Sequence, residues 1–188
     1  GLTMFLVPTD TPGITIEPVH TMGTERTNAT FFDGVRIGDE WRLGDVDGGW
    51  KVMGVALAFE RGVMGGTGMG IPLLRHFREW ATATPGDDGR PVIHDPIVRE
   101  RMVRMAIDNE VSMLLTLRAA WIAASGGLPG LEGSMAKIYA TEAYQRAARW
   151  CAHAAAPASL LQFHEPGAAA DGWIEYDLRH SPVTTIYG

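Results

Sequence analysis

Leu43-Gly44-Asp45-Val46-Asp47-Gly48-Gly49-Trp50-Lys51-Val52-Met53-Gly54-Val55-Ala56-Leu57 spans residues 43–57, where the chain changes period. Before Gly48 short apolar runs alternate with turn residues. After Gly49 the apolar residues recur at three-four spacing, as one face of a helix requires. Asp45 and Asp47 put negative charge beside the start of that helix, where its dipole is positive. The switch predicts an α+β chain: a partial antiparallel β-domain over 1–48, followed by an up-down α-helical bundle over 49–188.

Upstream, Leu2–Val7 and Ile14–Glu17 read as strands joined by Asp10-Thr11-Pro12-Gly13, in which Pro presets φ and Gly accepts a positive one. Ala29–Phe32 and Val35–Ile37 are further strand candidates, rich in β-branched and aromatic residues. This sheet is too short to close a core by itself.

Downstream, one helix is expected from about Gly48 through Trp50, Met53, Leu57, Met64 and Phe77 to about Trp80. Gly62, Gly65, Gly66, Gly68 and Gly70 interrupt it, and Pro72 follows. Propensity alone would break the helix there; the other reading is a close approach by a packed neighbour or a ligand. Ala81–Asp95 is full of breakers and reads as a loop. A second helix starts near Pro96, with one stripe of Val103, Ile107, Val111, Leu114 and Leu115. A flanking stripe carries Met102, Met105, Met113 and Leu117. Ser125–Gly130 ends it. A third helix carries Leu131, Met135, Ile138, Tyr139, Ala143, Ala147 and Trp150, antiparallel to the second because the connection is short. A short last helix is expected over Trp173–His180.

Apolar residues are 46% of the 188, enough for a real core. The net charge of −6 gives no basic footprint for nucleic acid. The longest apolar run, Val52–Phe59, is far too short to span a bilayer. One cysteine, Cys151, excludes a disulfide framework and a cysteine-rich zinc site, and it reads as a packing residue. The default reading is a cytoplasmic protein, or a mitochondrial-matrix one in a eukaryote. Gly1 without Met and the apolar end Thr185–Gly188 read as cuts within something longer.

Few motifs carry chemistry. Gly66, Gly68 and Gly70 give G-x-G-x-G, not the dinucleotide spacing, and no strand precedes them. His153 and His164 lack helical metal-ligand spacing and read as ordinary polar residues, so no metal site is expected. Glu60 follows Leu57-Ala58-Phe59 on the first helix. Desolvation by apolar neighbours tunes a carboxylate for general-base work near neutrality. An exposed or salt-bridged Glu is the other reading of the same residues.

The residues also resemble a family. Thr3–Pro8 with Thr11–Ile14 is similar to a strand and turn of the acyl-CoA dehydrogenases, and Phe32–Ile37 to their F-D-x-V-R-V-P segment. Leu43-Gly44 through Trp50 resembles their entry to the first C-terminal-domain helix. Ala58-Phe59-Glu60-Arg61 resembles L-x-x-E-R on that helix. Ser134-Met135-Ala136-Lys137 resembles S-M-A-K, and Ile186-Tyr187-Gly188 the opening of the I-Y-E-G-T loop.

The resemblance implies the second half of the middle β-domain and most of the C-terminal helical domain. It implies an FAD-dependent acyl-CoA dehydrogenase, in which a Glu removes the α-proton of an acyl-CoA thioester. The family keeps that Glu either in the I-Y-E-G-T loop or in L-x-x-E-R. The loop position here is Gly188, which cannot act, so the resemblance points to the subgroup with its base on the helix, at Glu60. Glu60 is then expected buried, with Arg61 beside the substrate. A homo- or heterotetramer and electron-transfer flavoprotein as acceptor are further implications, and the piece alone is expected to be inactive.

Three segments depart from the pattern. The loop Thr84–Arg90 replaces R-x-x-F-G, which in the family reaches the adenine half of FAD on a neighbouring subunit. Pro96 stands where a flavin-contacting Gln is usual. Ala158-Ser159-Leu160-Leu161 replaces the glycine-rich Q-x-x-G-G-x-G-Y segment, another FAD contact. A non-catalytic subunit or scaffold of the same family, and a flavin oxidase or monooxygenase on the same fold, are the alternative readings.

Overall fold

A computed structural model describes residues 1–23, 25–64 and 68–186; the side chains of Phe59 and of residues 61–64 lie outside the described residues. Two compact units are present, Gly1–Phe59 and Glu60–Gly188.

The first unit holds two antiparallel strand pairs. β2 (Ile14–His20) pairs with β3 (Arg26–Phe32), with Ile14 opposite Phe32 and His20 opposite Arg26. β1 (Met4–Phe5) pairs with β4 (Arg42–Leu43). The expected strand Val35–Ile37 does not form. The Asp33 N–H closes the ladder on the Gly13 carbonyl at 2.8 Å, and Gly34 then turns the chain at a φ of +59°. Ile16, Val19, Phe31 and Phe32 are exposed, so this sheet closes no core.

α1 (Gly49–Met64) begins where the Gly49 N–H donates to the Leu2 carbonyl at 2.7 Å. A Cβ on Gly49 would lie 2.8 Å from that carbonyl oxygen, so only glycine lets the helix start against the strand. The single helix expected from Gly48 to Trp80 is two. α2 runs over Gly70–Ala83, after Gly68 takes a left-handed φ of +74°. Pro72 sits in the first turn of α2, where its missing N–H costs nothing. Close packing explains Gly70: a Cβ there would meet Asn109 Oδ1 at 2.1 Å.

The second unit is built by α2, α3 (Pro96–Ala124), α4 (Gly130–Ala154) and α5 (Trp173–Thr184). α2 continues to Ala83, three residues into the expected loop, and α5 runs four residues past His180. Asp95 caps α3, accepting from the backbone N–H of Ile97 at 2.7 Å and of Val98 at 3.0 Å. α3 and α4 are antiparallel: Arg118 meets Glu132, Asp108 meets Tyr139, and Met105 meets Cys151. The core is Leu73, Phe77 and Ala81 of α2, Val98 and Met105 of α3, Tyr144, Ala148 and Cys151 of α4, and Ile174 of α5.

The expected stripes of α3 and α4 are split. Met105 and Ala143 are buried, and Met102, Ala147 and Trp150 pack against the core, but the rest is not all inside. Val103, Ile107, Leu114 and Leu117 of α3 are exposed, as are Leu131, Met135 and Ile138 of α4. The buried face of α4 is small instead: Gly133, Ala136, Ala140, Ala143, Ala148 and Ala152, around Tyr144. Small side chains let helix axes approach closely, so α4 packs largely through alanine and leaves its own Leu131, Met135 and Ile138 outside.

Candidate active site

Glu60 lies on α1, one turn after Leu57 and Ala56. It is half-buried rather than buried, and Ala56, one turn before it, is exposed. Leu57 and Ala58, earlier on the same helix, are half-buried too. The Arg61 side chain and Gly188 lie outside the described residues. Among the described residues no group of three His, Cys, Asp or Glu side chains is placed to hold a metal ion, and no helix is long and apolar enough to cross a membrane.

Two segments that depart from the family pattern, 84–90 and the start of 158–161, meet in space. Thr84–Pro91, the start of α3 and the end of α4 enclose an open groove of about 650 Å³ with Trp80 on its wall. The Gly86 N–H donates to the Arg90 carbonyl at 2.7 Å and ties the loop across its base. The groove carries three carboxylates, Asp87, Asp88 and Asp95, against one guanidinium, Arg90. That guanidinium is taken: it pairs with Asp88 at 2.7 Å, and the Asp88 carboxyl also accepts the Arg90 backbone N–H at 2.9 Å. Those bonds hold the Asp88 carboxyl below its ordinary range, so it stays charged. The N-terminus of α3, a natural seat for an anion, is occupied by the carboxylate of Asp95. Ala154–Ala156 bring the negative end of α4 to the same groove. FAD carries a diphosphate, and this donor set does not fit it.

One acid cluster escaped the sequence reading. Asp177 of α5 is 7% exposed and accepts the Tyr144 hydroxyl of α4 at 2.5 Å. Burial pushes its carboxyl up to about 6, against the opposing pull of the Tyr144 bond and of His180. The His180 ring stacks on Tyr176, with centroids 5.3 Å apart. Cys151 is fully buried, and burial followed by the Asp177 charge raises its thiol well above the usual range. A perturbed carboxylate of this kind is a base candidate in a cleft. Asp177 is enclosed by helices instead, so its role is to join α4 to α5. No spacing in the sequence links Tyr144 to Asp177, 33 residues on.

The protein-family model described as "Acyl-CoA dehydrogenase, C-terminal domain" matches residues 47–188. Acyl-CoA dehydrogenase FadE26 of Mycobacterium tuberculosis is 30% identical over all of this chain and 48% of its own length. The crystal structure of the ChsE4-ChsE5 complex from the same organism superposes with a TM-score of 0.86 at 30% identity, over 99% of this chain and 48% of that one. The structure described as "Tcur3481-Tcur3483 steroid ACAD" gives 0.86 at 29%, over 100% and 48%. The chain thus spans about half the length of the curated relatives it matches. The family model covers three-quarters of the chain, from the entry to α1 at Gly49 through the helical bundle, and this makes the chain a member of the acyl-CoA dehydrogenase family.

Proposed function

We propose that this chain is the C-terminal half of an FAD-dependent acyl-CoA dehydrogenase, and that Glu60 is the base that takes the α-proton of an acyl-CoA thioester. The observation that carries the reading is Glu60 itself. It is a half-buried carboxylate on the first helix of the matched region, in a chain whose loop position is Gly188. The α-proton of a thioester is weakly acidic, so the base must be held still beside it, and a helix does this better than a loop. Arg61, next in sequence, is proposed as a substrate-binding residue. On this reading residues 1–48 complete a middle β-domain, and the protein belongs to the subgroup with its base on the helix. Electron-transfer flavoprotein is the proposed acceptor.

The assembly we propose is a tetramer. The exposed residues Val103, Ile107, Leu114 and Leu117 share one face of α3, and Leu131, Met135 and Ile138 share one face of α4. Two similar solved structures are each described by a pair of chain names, which favours a heteromer of related subunits.

The test is anaerobic bleaching of the flavin by an acyl-CoA in the full-length protein, wild type against Glu60→Gln. Glutamine keeps the shape but cannot take a proton. The expected result is a rate lowered about 10²–10⁴-fold with acyl-CoA binding retained. Glu142→Gln, on an exposed face, is the control and should bleach at the wild-type rate. Equal rates for Glu60→Gln and wild type would move the base elsewhere, or assign catalysis to another subunit.

A further inference from the structure

We infer that the groove under the 84–91 loop rejects the FAD diphosphate, so that this chain does not complete a neighbouring subunit's FAD site. The inference rests on the family reading above, which assigns FAD contacts to the two segments that meet here. Three features of the groove act in the same direction. Its lining carries two more negative than positive charges, from Asp87, Asp88 and Asp95 against Arg90. Its one cation is held by Asp88 through the guanidinium and the backbone. Both N–H groups that α3 could offer a phosphate, those of Ile97 and Val98, already donate to Asp95, and Pro96 has none. A diphosphate entering this groove would meet like charge and no free donor from the helix. Each FAD in the assembly must then lie against the corresponding loop of a different subunit, one with cationic or neutral side chains there. An assembly that contains this chain therefore holds fewer than one FAD per chain.

The probe is ADP, which presents the same adenosine diphosphate, titrated by equilibrium dialysis into the full-length protein. Wild type is expected to show no saturable binding below about 1 mM. Asp87→Asn with Asp95→Asn removes both uncompensated charges, while Asn retains the capping oxygen. Binding should tighten about tenfold, and Arg90→Ala on that background should remove the gain. Asp87→Asn alone leaves the cap and the Asp88–Arg90 pair in place and should tighten binding about threefold. Micromolar ADP binding by wild type that Arg90→Ala weakens would overturn the inference. So would one FAD per chain in the purified assembly, or no gain in either variant. The dialysis needs no turnover, so an inert Glu60 would sink the functional reading and leave this result standing.

Discussion

Glycine positions show how differently one added methyl group is received. Gly172 opens α5 at a φ of +96°, and a Cβ there would lie 2.5 Å from the Phe163 backbone nitrogen and 2.8 Å from the Gln162 carbonyl carbon. Both obstacles are backbone and cannot turn aside. Gly172→Ala should therefore cost about 2–4 kcal/mol, from strained φ and overpacking together, and lower the thermal midpoint accordingly. At Gly70 the obstacle is the Asn109 amide, the end of a side chain that can rotate. Gly70→Ala should cost roughly 1 kcal/mol or less, since alanine also favours helix. Equal midpoints for the two variants in a thermal melt would contradict this account. Asp95→Ala is a third case: it removes the cap of α3 and should cost about 1 kcal/mol, while Asp95→Asn should be close to neutral.

The α4–α5 pair couples stability to pH through Asp177. Its carboxyl titrates at about 6 in the fold, against 3.8 for the free group. A raised folded value means that the fold holds this proton more tightly than the unfolded chain does. The contribution is therefore complete below about pH 4 and is lost as pH rises through about 6. Its size is on the order of 3 kcal/mol. Asp177→Asn removes the titration and leaves an oxygen to accept the Tyr144 hydroxyl. The variant should gain stability relative to wild type at pH 7.5 and lose that advantage at pH 4.5, as read by thermal unfolding at the two pH values. A constant difference between the proteins would show that Asp177 is not the titrating group. Cys151 lies against the same pair and should resist thiol reagents until the helices separate.

At the scale of the whole molecule, the exposed apolar faces of α3 and α4 set the expectation for association. Leu114 and Ile138 are each 56% exposed. Leu114→Glu with Ile138→Glu places charge on both faces without touching the core. Light scattering on the full-length protein should show the assembly broken to a smaller species with unchanged helix content. Persistence of the wild-type mass would assign those faces to another role.

The change of period at Gly48-Gly49, the start of α3 at Pro96 and the break at Ser125–Gly130 are legible in the residues alone. Each is a local matter of turn chemistry, capping or side-chain spacing. The sequence also marked Glu60 as a carboxylate among apolar residues and, by resemblance, the family. Tertiary structure decided the rest. The spacing predicts the apolar stripe of α4 as its core face, yet Leu131, Met135 and Ile138 of that stripe are exposed while Ala136, Ala140 and Ala148, outside it, are buried. Periodicity shows that a helix has an apolar face but not which face meets a neighbour, and close approach through small side chains is a property of the pair. Tyr144 and Asp177 meet across 33 residues, and the 84–91 loop meets the end of α4 some 65 residues on. Chain distance carries no trace of such contacts, because they form only when the helices fold back on one another.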